Sequence, residues 1–360
     1  MKAENVEHLE IFRDSNRYAG WPANYGMWSW ADEIVLAFTA GYPDPAGGFH
    51  ARDRGRPLVT MQARSADGGS SWDVQEAKMP YGIGLSAHEH MNEDVIEGLP
   101  SVEFSSPDGV DFTNPDSAIL CGRTSLREGA KSWFYWSSNR CRSWDGPFEF
   151  PMFGQRGIAA RTDVLVEGPR SAIFLLTSTV PSGDEGRVLV ARTDDGGSTF
   201  EFVSWLNESP AGSDLMPASL RTRDGSILSV IRSHGVERDD RWLQQYRSSD
   251  NGRTWTDEGA VVPNTGDGGN PATLKALPDG RLCVIYGVRS APYRICTRLS
   301  DDEGDSWSDE ITLRDDGGSH DLGYPRCAVL PNGKLIIAYY WNDAPEGERY
   351  IGGSIWDPMQ

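Results

Sequence analysis

Three arginines close apolar runs in this 360-residue chain: Arg123 after AILCG, Arg232 after ILSVI and Arg289 after CVIYGV. A second set of residues opens apolar stretches, and most of its members stand directly before a proline: Trp21, Leu99, Arg161, Met216, Asn270 and Tyr324. The guanidinium group is a planar fork that grips a carboxylate at two points, so arginines at equivalent places in a chain are candidates for one shared anion site. Groups able to move protons lie in two further segments. GYPDPAGGFHARDRGRP carries His50, Arg52, Asp53 and Arg54, and GGSHDLGY carries His320, Asp321 and, at its end, Tyr324. SAHEHMNED offers His88 and His90 without a third placed ligand, which reads as loop and not as a metal site. No cofactor is expected.

Charge narrows the partners. Lys and Arg number 34 against 53 Asp and Glu, a net charge of −19. Such a chain has no polybasic field to release counterions from nucleic acid or to hold an anionic membrane. An anionic small molecule must be captured by local arginines against the overall field. The five cysteines are widely spaced with no CxxC pair, as expected of buried thiols in a reducing compartment. MKAENVEHLEIF lacks an apolar leader core, and the longest apolar runs fall short of a membrane span. The expectation is a cytoplasmic protein, or a secreted one if a leader has been removed; the oligomeric state is left open.

The elements that must position these groups come from a repeat. SADGGSSW (Ser65 to Trp72), TDDGGSTF (Thr193 to Phe200), SSDNGRTW (Ser248 to Trp255) and SDDEGDSW (Ser300 to Trp307) share a Ser/Thr-x-Asp-x-Gly-x-Ser/Thr-aromatic box. SSNRCRSW (Ser137 to Trp144) is a decayed copy, with Asn139 and Cys141 in the aspartate and glycine slots. A spacing of 52 to 72 residues between aspartate slots marks a repeat architecture. In each box the glycine permits the turn, the aspartate and hydroxyls satisfy loop N–H groups, and the aromatic packs between sheets.

A second pattern runs out of phase with the boxes: a proline, an apolar strand, an Asp-Gly or Asn-Gly turn, and another apolar strand. It is clear at Met216–Arg232, Asn270–Arg289 and Tyr324–Trp341, and looser at Trp21–Phe38, Leu99–Phe112 and Arg161–Leu176. Asp-Gly between alternating strands is a strong hairpin signal. Six hairpins, five of them followed by a box, predict an all-β chain: a six-bladed β-propeller of four-stranded antiparallel blades, one domain over residues 1–360, with the N-terminal residues supplying the last blade's outer strand. In that fold the boxes occupy one face. The starts of the first strand and the ends of the second strand of each hairpin face the other, where Arg123, Arg161, Arg232, Arg289, Asn270, Trp21 and Tyr324 would gather.

The boxes, the six hairpins and DLGYPRCAVLPNGKLIIAYYW resemble the sialidase (neuraminidase) superfamily, in particular bacterial Asp-box (BNR-repeat) sialidase-like proteins. The resemblance spans nearly the whole chain. It implies an exo-glycosidase for an α-linked acidic sugar such as sialic acid, with arginines on the substrate carboxylate. Tyr324 matches the family's nucleophile, Asp53 its acid/base, and Arg232 and Arg289 two of its arginines. A neutral tyrosine suits attack beside a negative charge that would repel a carboxylate. Arg123 and Arg161 would widen the anion pocket, with Asn270, Trp21, His50, Arg17 and Asp321 completing the substrate-binding set.

Two positions depart from the family pattern. Gly20 stands where its first arginine belongs, leaving Arg13 or Arg17 as candidates for that site. Leu220 and Arg221 stand where the glutamate that assists the tyrosine belongs, leaving His320, Asp321, Asp214 or Glu89 as candidate bases. A tyrosine needs such a neighbour to react near neutral pH. Two other readings keep the same fold: a hydrolase or lyase for uronate oligosaccharides, with His50, His88 or His234 as base, and a carbohydrate-binding propeller without catalysis.

Overall fold

The protein is described by a computed structural model covering residues 1–80, 91–99, 101–237 and 240–359. The fold is all-β, a six-bladed β-propeller built from antiparallel sheets. Two compact units carry the six sheets. One, comprising Met1–Ala77 and Val261–Gln360 with the short piece Arg238–Leu243, holds the first, fifth and sixth sheets. The other, Lys78–Glu237 with Gln244–Ala260, holds the second, the third and nearly all of the fourth. Among the described residues no helix is long and apolar enough to cross a membrane.

Five of the expected hairpins form. Ile158–Val166 pairs with Ala172–Thr179, Ser213–Arg221 with Ile227–His234, Ala272–Ala276 with Leu282–Val288, Gly323–Val329 with Leu335–Trp341, and Met27–Trp30 with Glu33–Gly41. Strands with neighbours on both sides read as unbroken apolar runs because both faces are covered: every residue of Ala172–Thr179 and of Leu335–Trp341 is buried. The sixth sheet takes its outer strand from the N-terminus, where Glu7–Phe12 runs antiparallel to Tyr350–Trp356, Glu7 opposite Ile355. That pairing is the one expected for a last blade without a box.

The second sheet corrects an expectation. Leu99–Phe112 does not form a hairpin; among the described residues the sheet has three strands, Ala118–Arg123, Ser132–Ser137 and Asp145–Glu149, joined only by a bridge from Ser105 to Phe148. Burial explains the difference. Val110 and Phe112 sink into a cluster with Phe134, Phe148, Phe150 and Phe174, and their N–H groups bond to Gly196 and Pro169. The Asp-Gly of this segment therefore turns the chain into a neighbouring core instead of folding it back on itself.

The boxes hold as loop staples. Ser65 Oγ donates to Asp67 Oδ1 and accepts the Gly69 N–H, both at 2.8 Å, while Asp67 accepts the Ser71 N–H at 2.9 Å and its hydroxyl at 2.6 Å. The pattern recurs at Asp195, Asp250 and Asp302. The decayed copy keeps it with an amide: Asn139 Oδ1 accepts from Ser137 at 3.0 Å and from the Ser143 N–H at 2.9 Å. Cys141 there holds a φ of 61°, a conformation for which the other copies use glycine.

Candidate active site

Residues ahead of the prolines adopt a shared and unusual backbone. Trp21, Met216 and Tyr324 have φ of 57°, 52° and 52°, left-handed values that cost a bulky residue about 1–3 kcal/mol. Met216 and Tyr324 lie where the strand register slips, as does Arg161, and a bulge of this kind turns a side chain out of its strand's alternation. One strained slot thus recurs on separate blades, with all three side chains buried.

In the first unit the slot is built around Asn270, which is fully buried. Its Oδ1 accepts the Tyr324 N–H at 2.8 Å, and its Nδ2 donates to the Leu322 carbonyl at 3.1 Å. Between them Gly323 sits at φ 105°, and a β-carbon there would overlap the Asn270 amide. Arg289, only 2 % exposed, packs its guanidinium 5.3 Å from the centre of the Tyr324 ring and 5.5 Å from that of Phe49. Its Nε donates to Leu322 O at 3.0 Å, Nη1 to Gly269 O at 3.0 Å and Nη2 to the Tyr340 hydroxyl at 2.5 Å. These bonds use three of its five N–H groups.

Tyr340 passes the network to Asp321. The buried Asp321 carboxylate accepts from Tyr340 at 2.9 Å, from Arg349 Nε at 2.9 Å and, at 3.5 Å, from Tyr18, and it meets His50 Nδ1 at 2.7 Å. Burial alone would raise this carboxyl, but His50, Arg349 and Arg289 hold it well below the usual carboxylate range. Burial keeps the Tyr18 and Tyr340 hydroxyls protonated, so both act as donors. An ionised carboxylate only accepts, which puts the His50 proton on Nδ1 and, in the neutral ring, the lone pair on Nε2. Burial also pulls the His50 imidazole below its ordinary value against the attraction of Asp321, with Arg289 and Arg52 adding to the decrease.

Aromatic rings enclose this histidine. Trp21 lies edge-on at 5.1 Å between ring centres and Phe49 at 4.9 Å, and His320 stacks on Phe49 at 4.4 Å. The first unit thus brings together Tyr324, Arg289, Asn270, Trp21, His50 and Asp321. Tyr18 and Arg349 also line a cavity of about 360 Å³ with Pro43, Pro45 and Pro345.

The other candidates of this unit make contacts of their own. Asp53, in the loop that carries His50, accepts the Gly55 N–H at 2.8 Å. Arg17 donates to the Gly41 carbonyl at 3.0 Å and lies over the Tyr42 ring. Arg13 pairs with Asp343 and Glu10 and covers the Tyr350 ring, an ion-pair role distinct from the vacant arginine site. His320 meets the Phe49 carbonyl at 3.1 Å.

The second unit holds the remaining arginines. Arg161 forms a buried ion pair with Glu185 and points Nη1 at the Met216 sulfur, 3.5 Å away, which Arg232 approaches at 3.9 Å. Arg123, at the end of Ala118–Arg123, is 1 % exposed. Asp214 accepts from Ser233 at 2.7 Å and Asn207 at 2.9 Å, and burial raises its carboxyl. His88, Glu89 and His90 lie outside the described residues.

Sequence reasoning missed Tyr340, Arg349, Tyr18 and Asn342, the groups that hold Asp321. A signal existed for one of them. In LIIAYYW the alternation puts Tyr339 and Trp341 on one face and Tyr340 on the other, with a hydroxyl that needs a partner.

Comparison with known proteins extends this picture. The sequence profile of the BNR repeat-like domain family matches residues 128–337. No curated protein matches the sequence significantly. Among solved structures, a protein of unknown function from Dyadobacter fermentans is 21 % identical with a TM-score of 0.73, over 98 % of this chain and 99 % of that one. The Trypanosoma rangeli sialidase in complex with sialic acid is 14 % identical with a TM-score of 0.62, over 98 % of this chain and 59 % of the sialidase. An α-L-arabinanase from Penicillium chrysogenum complexed with arabinobiose is 14 % identical with a TM-score of 0.63, over 97 % of each chain. At these identities the likeness is one of fold, and the fold is one that glycoside hydrolases use. The expected sialidase-like Asp-box propeller is borne out at that level.

Proposed function

The chain belongs to the BNR repeat-like domain family, and from that footing we propose that it is a glycoside hydrolase whose substrate is an acidic sugar. The observation that carries this reading is the packing of the Arg289 guanidinium on the Tyr324 ring, with Tyr324 held in a strained backbone conformation by Asn270. A cation beside a phenol is the pairing that a carboxylated sugar needs: one group for its charge and one for its anomeric carbon.

In this reading Tyr324 attacks the anomeric carbon of an α-linked residue such as sialic acid, Asp53 protonates the departing oxygen, and Arg289 holds the carboxylate. Trp21, His50 and Arg17 complete the substrate-binding set, Asn270 holds Tyr324 in place, and Asp321 braces Arg289 through the Tyr340 hydroxyl. Covalent attack by the phenol retains the anomeric configuration.

Fluorogenic α-sialosides and uronide analogues test the reading. Turnover of an acidic glycoside, with retention at the anomeric carbon and loss of turnover in Tyr324→Phe, is the expected result. A wild-type protein that turns over no acidic glycoside overturns it.

A further inference from the structure

We propose that Phe49 is the gate of the anion site: its ring covers the Arg289 guanidinium, and a sugar carboxylate reaches Arg289 only when the Phe49 side chain turns aside. The inference rests on the acidic-sugar reading above for what is admitted, and on the geometry of the first unit for the gate itself.

Arg289 is closed to solvent although its hydrogen-bonding capacity is not used up. It is 2 % exposed, and its bonds to Leu322, Gly269 and Tyr340 leave one N–H on each terminal nitrogen without a bond among the described residues. Two aromatic rings flank the guanidinium, Tyr324 at 5.3 Å and Phe49 at 5.5 Å. Tyr324 is buried and its backbone is clamped by Asn270, whereas Phe49 is 40 % exposed, so Phe49 is the ring that borders water.

The ring can move while the backbone stays in place. The residues that follow it are pinned: His50 by its 2.7 Å bond to Asp321, and Ala51 by its carbonyl, which accepts the Asp44 N–H at 3.0 Å. Glycines supply the space. A β-carbon at Gly268 would lie 3.0 Å from the tip of the Phe49 ring, so the absence of one there lets the ring reach its seat beside Arg289. A β-carbon at Gly48 would meet nothing within 4 Å, which leaves room beside the turn for a ring that has left that seat. Rotation about the side-chain bonds of Phe49 breaks its contacts with Arg289, His50 and His320, and half-exposed side chains change rotamer within nanoseconds.

A carboxylate wins this exchange. The ring gives the guanidinium one cation–π contact at a half-exposed site, while a carboxylate gives the two remaining N–H groups charge-assisted hydrogen bonds. A neutral sugar has no group to displace the ring, so the gate favours acidic ones. Because only the open state binds, the gate weakens apparent affinity by the fraction of time it stands open.

The test treats the full-length protein with phenylglyoxal, which adds to guanidinium groups, and follows modified peptides by mass spectrometry with the exposed Arg127 as reference. Phe49→Ala is expected to speed modification of Arg289 relative to Arg127 by roughly three- to sixfold, the bias that a half-exposed cation–π contact supplies. Phe49→Trp, which keeps a ring in place, should react no faster than wild type. In calorimetry, whichever of the unsaturated sialic acid analogue and galacturonate binds should bind Phe49→Ala more tightly by a similar factor. Equal modification of Arg289 in wild type and Phe49→Ala overturns the gate, and so does a Phe49→Trp protein as reactive as Phe49→Ala, which points to a loosened turn. Weaker sugar binding by Phe49→Ala also overturns it, making the ring a wall of the bound sugar. Faster modification in Phe49→Ala with neither acid bound keeps the gate and removes the acidic-sugar reading.

Discussion

The side-chain oxygen of Asn270 accepts the backbone N–H of Tyr324 at 2.8 Å, joining residues 54 positions apart in sequence. The same amide donates to Leu322, so one side chain clamps both flanks of Gly323 and supports the left-handed turn at Tyr324. Asn270→Ala leaves a buried N–H unpaired and is expected to cost about 1–3 kcal/mol in urea denaturation. Turnover of acidic glycosides should fall by roughly tenfold or more, since small misplacements of a reacting group are costly. Equal stability and equal kcat/KM would remove Asn270 from the site.

Arg289 bonds two backbone carbonyls and the Tyr340 hydroxyl with three nitrogens of one plane. Lysine keeps the charge but cannot reproduce the fork. Arg289→Lys is expected to destabilise the fold by about 2 kcal/mol, in the range of bonds to charged groups, and to raise KM for acidic glycosides. A variant that melts with wild-type Tm and binds substrate as well as wild type contradicts the clamp.

Acid stability should depend on the boxes. Hydrogen bonds from Ser71 push the Asp67 carboxyl down to about 2, and Asp250 and Asp302 reach about 2 by equivalent bonds from Thr254 and Ser306. A carboxyl that binds its proton less readily when folded adds stability above its unfolded pKa, near 3.8, and loses it as pH falls from there toward 2. Thermal melts should therefore show a steep fall in Tm across that window. Asp250→Asn, which copies the amide of the decayed box, is expected to flatten the fall; an unchanged slope would contradict the assignment.

Arg161, buried, and Glu185, largely buried, form an ion pair in the second unit. Removing one partner strands the other charge, so Arg161→Ala should cost about 3–5 kcal/mol, and Arg161→Met less if Glu185 takes up a proton. Denaturant titration at neutral and at mildly acidic pH separates the two cases. A loss in Arg161→Ala that does not shrink on acidification would rule out stranded charge as its cause.

The fold was legible because its signals are local. A box such as SADGGSSW needs only its own eight residues to close its hydrogen bonds, and Asp-Gly between two alternating runs specifies a hairpin within about 18 residues. Leu99–Phe112 misled because its Asp-Gly turn is overridden by burial of Val110 and Phe112 in a cluster of distant phenylalanines. The meeting of Tyr324, Asn270 and Arg289 was legible because each stands at a repeated position of its blade. Tyr340 and Arg349 were not, because their partner Asp321 lies 19 and 28 residues away and no periodicity connects them.

The most direct test of an acidic-sugar site is a crystal structure of the protein soaked with an unsaturated sialic acid analogue. The account predicts the sugar beside Tyr324, its carboxylate within hydrogen-bond distance of Arg289 and its ring against Trp21. A sugar bound with its carboxylate turned away from Arg289, or bound equally well by Arg289→Lys, would contradict it.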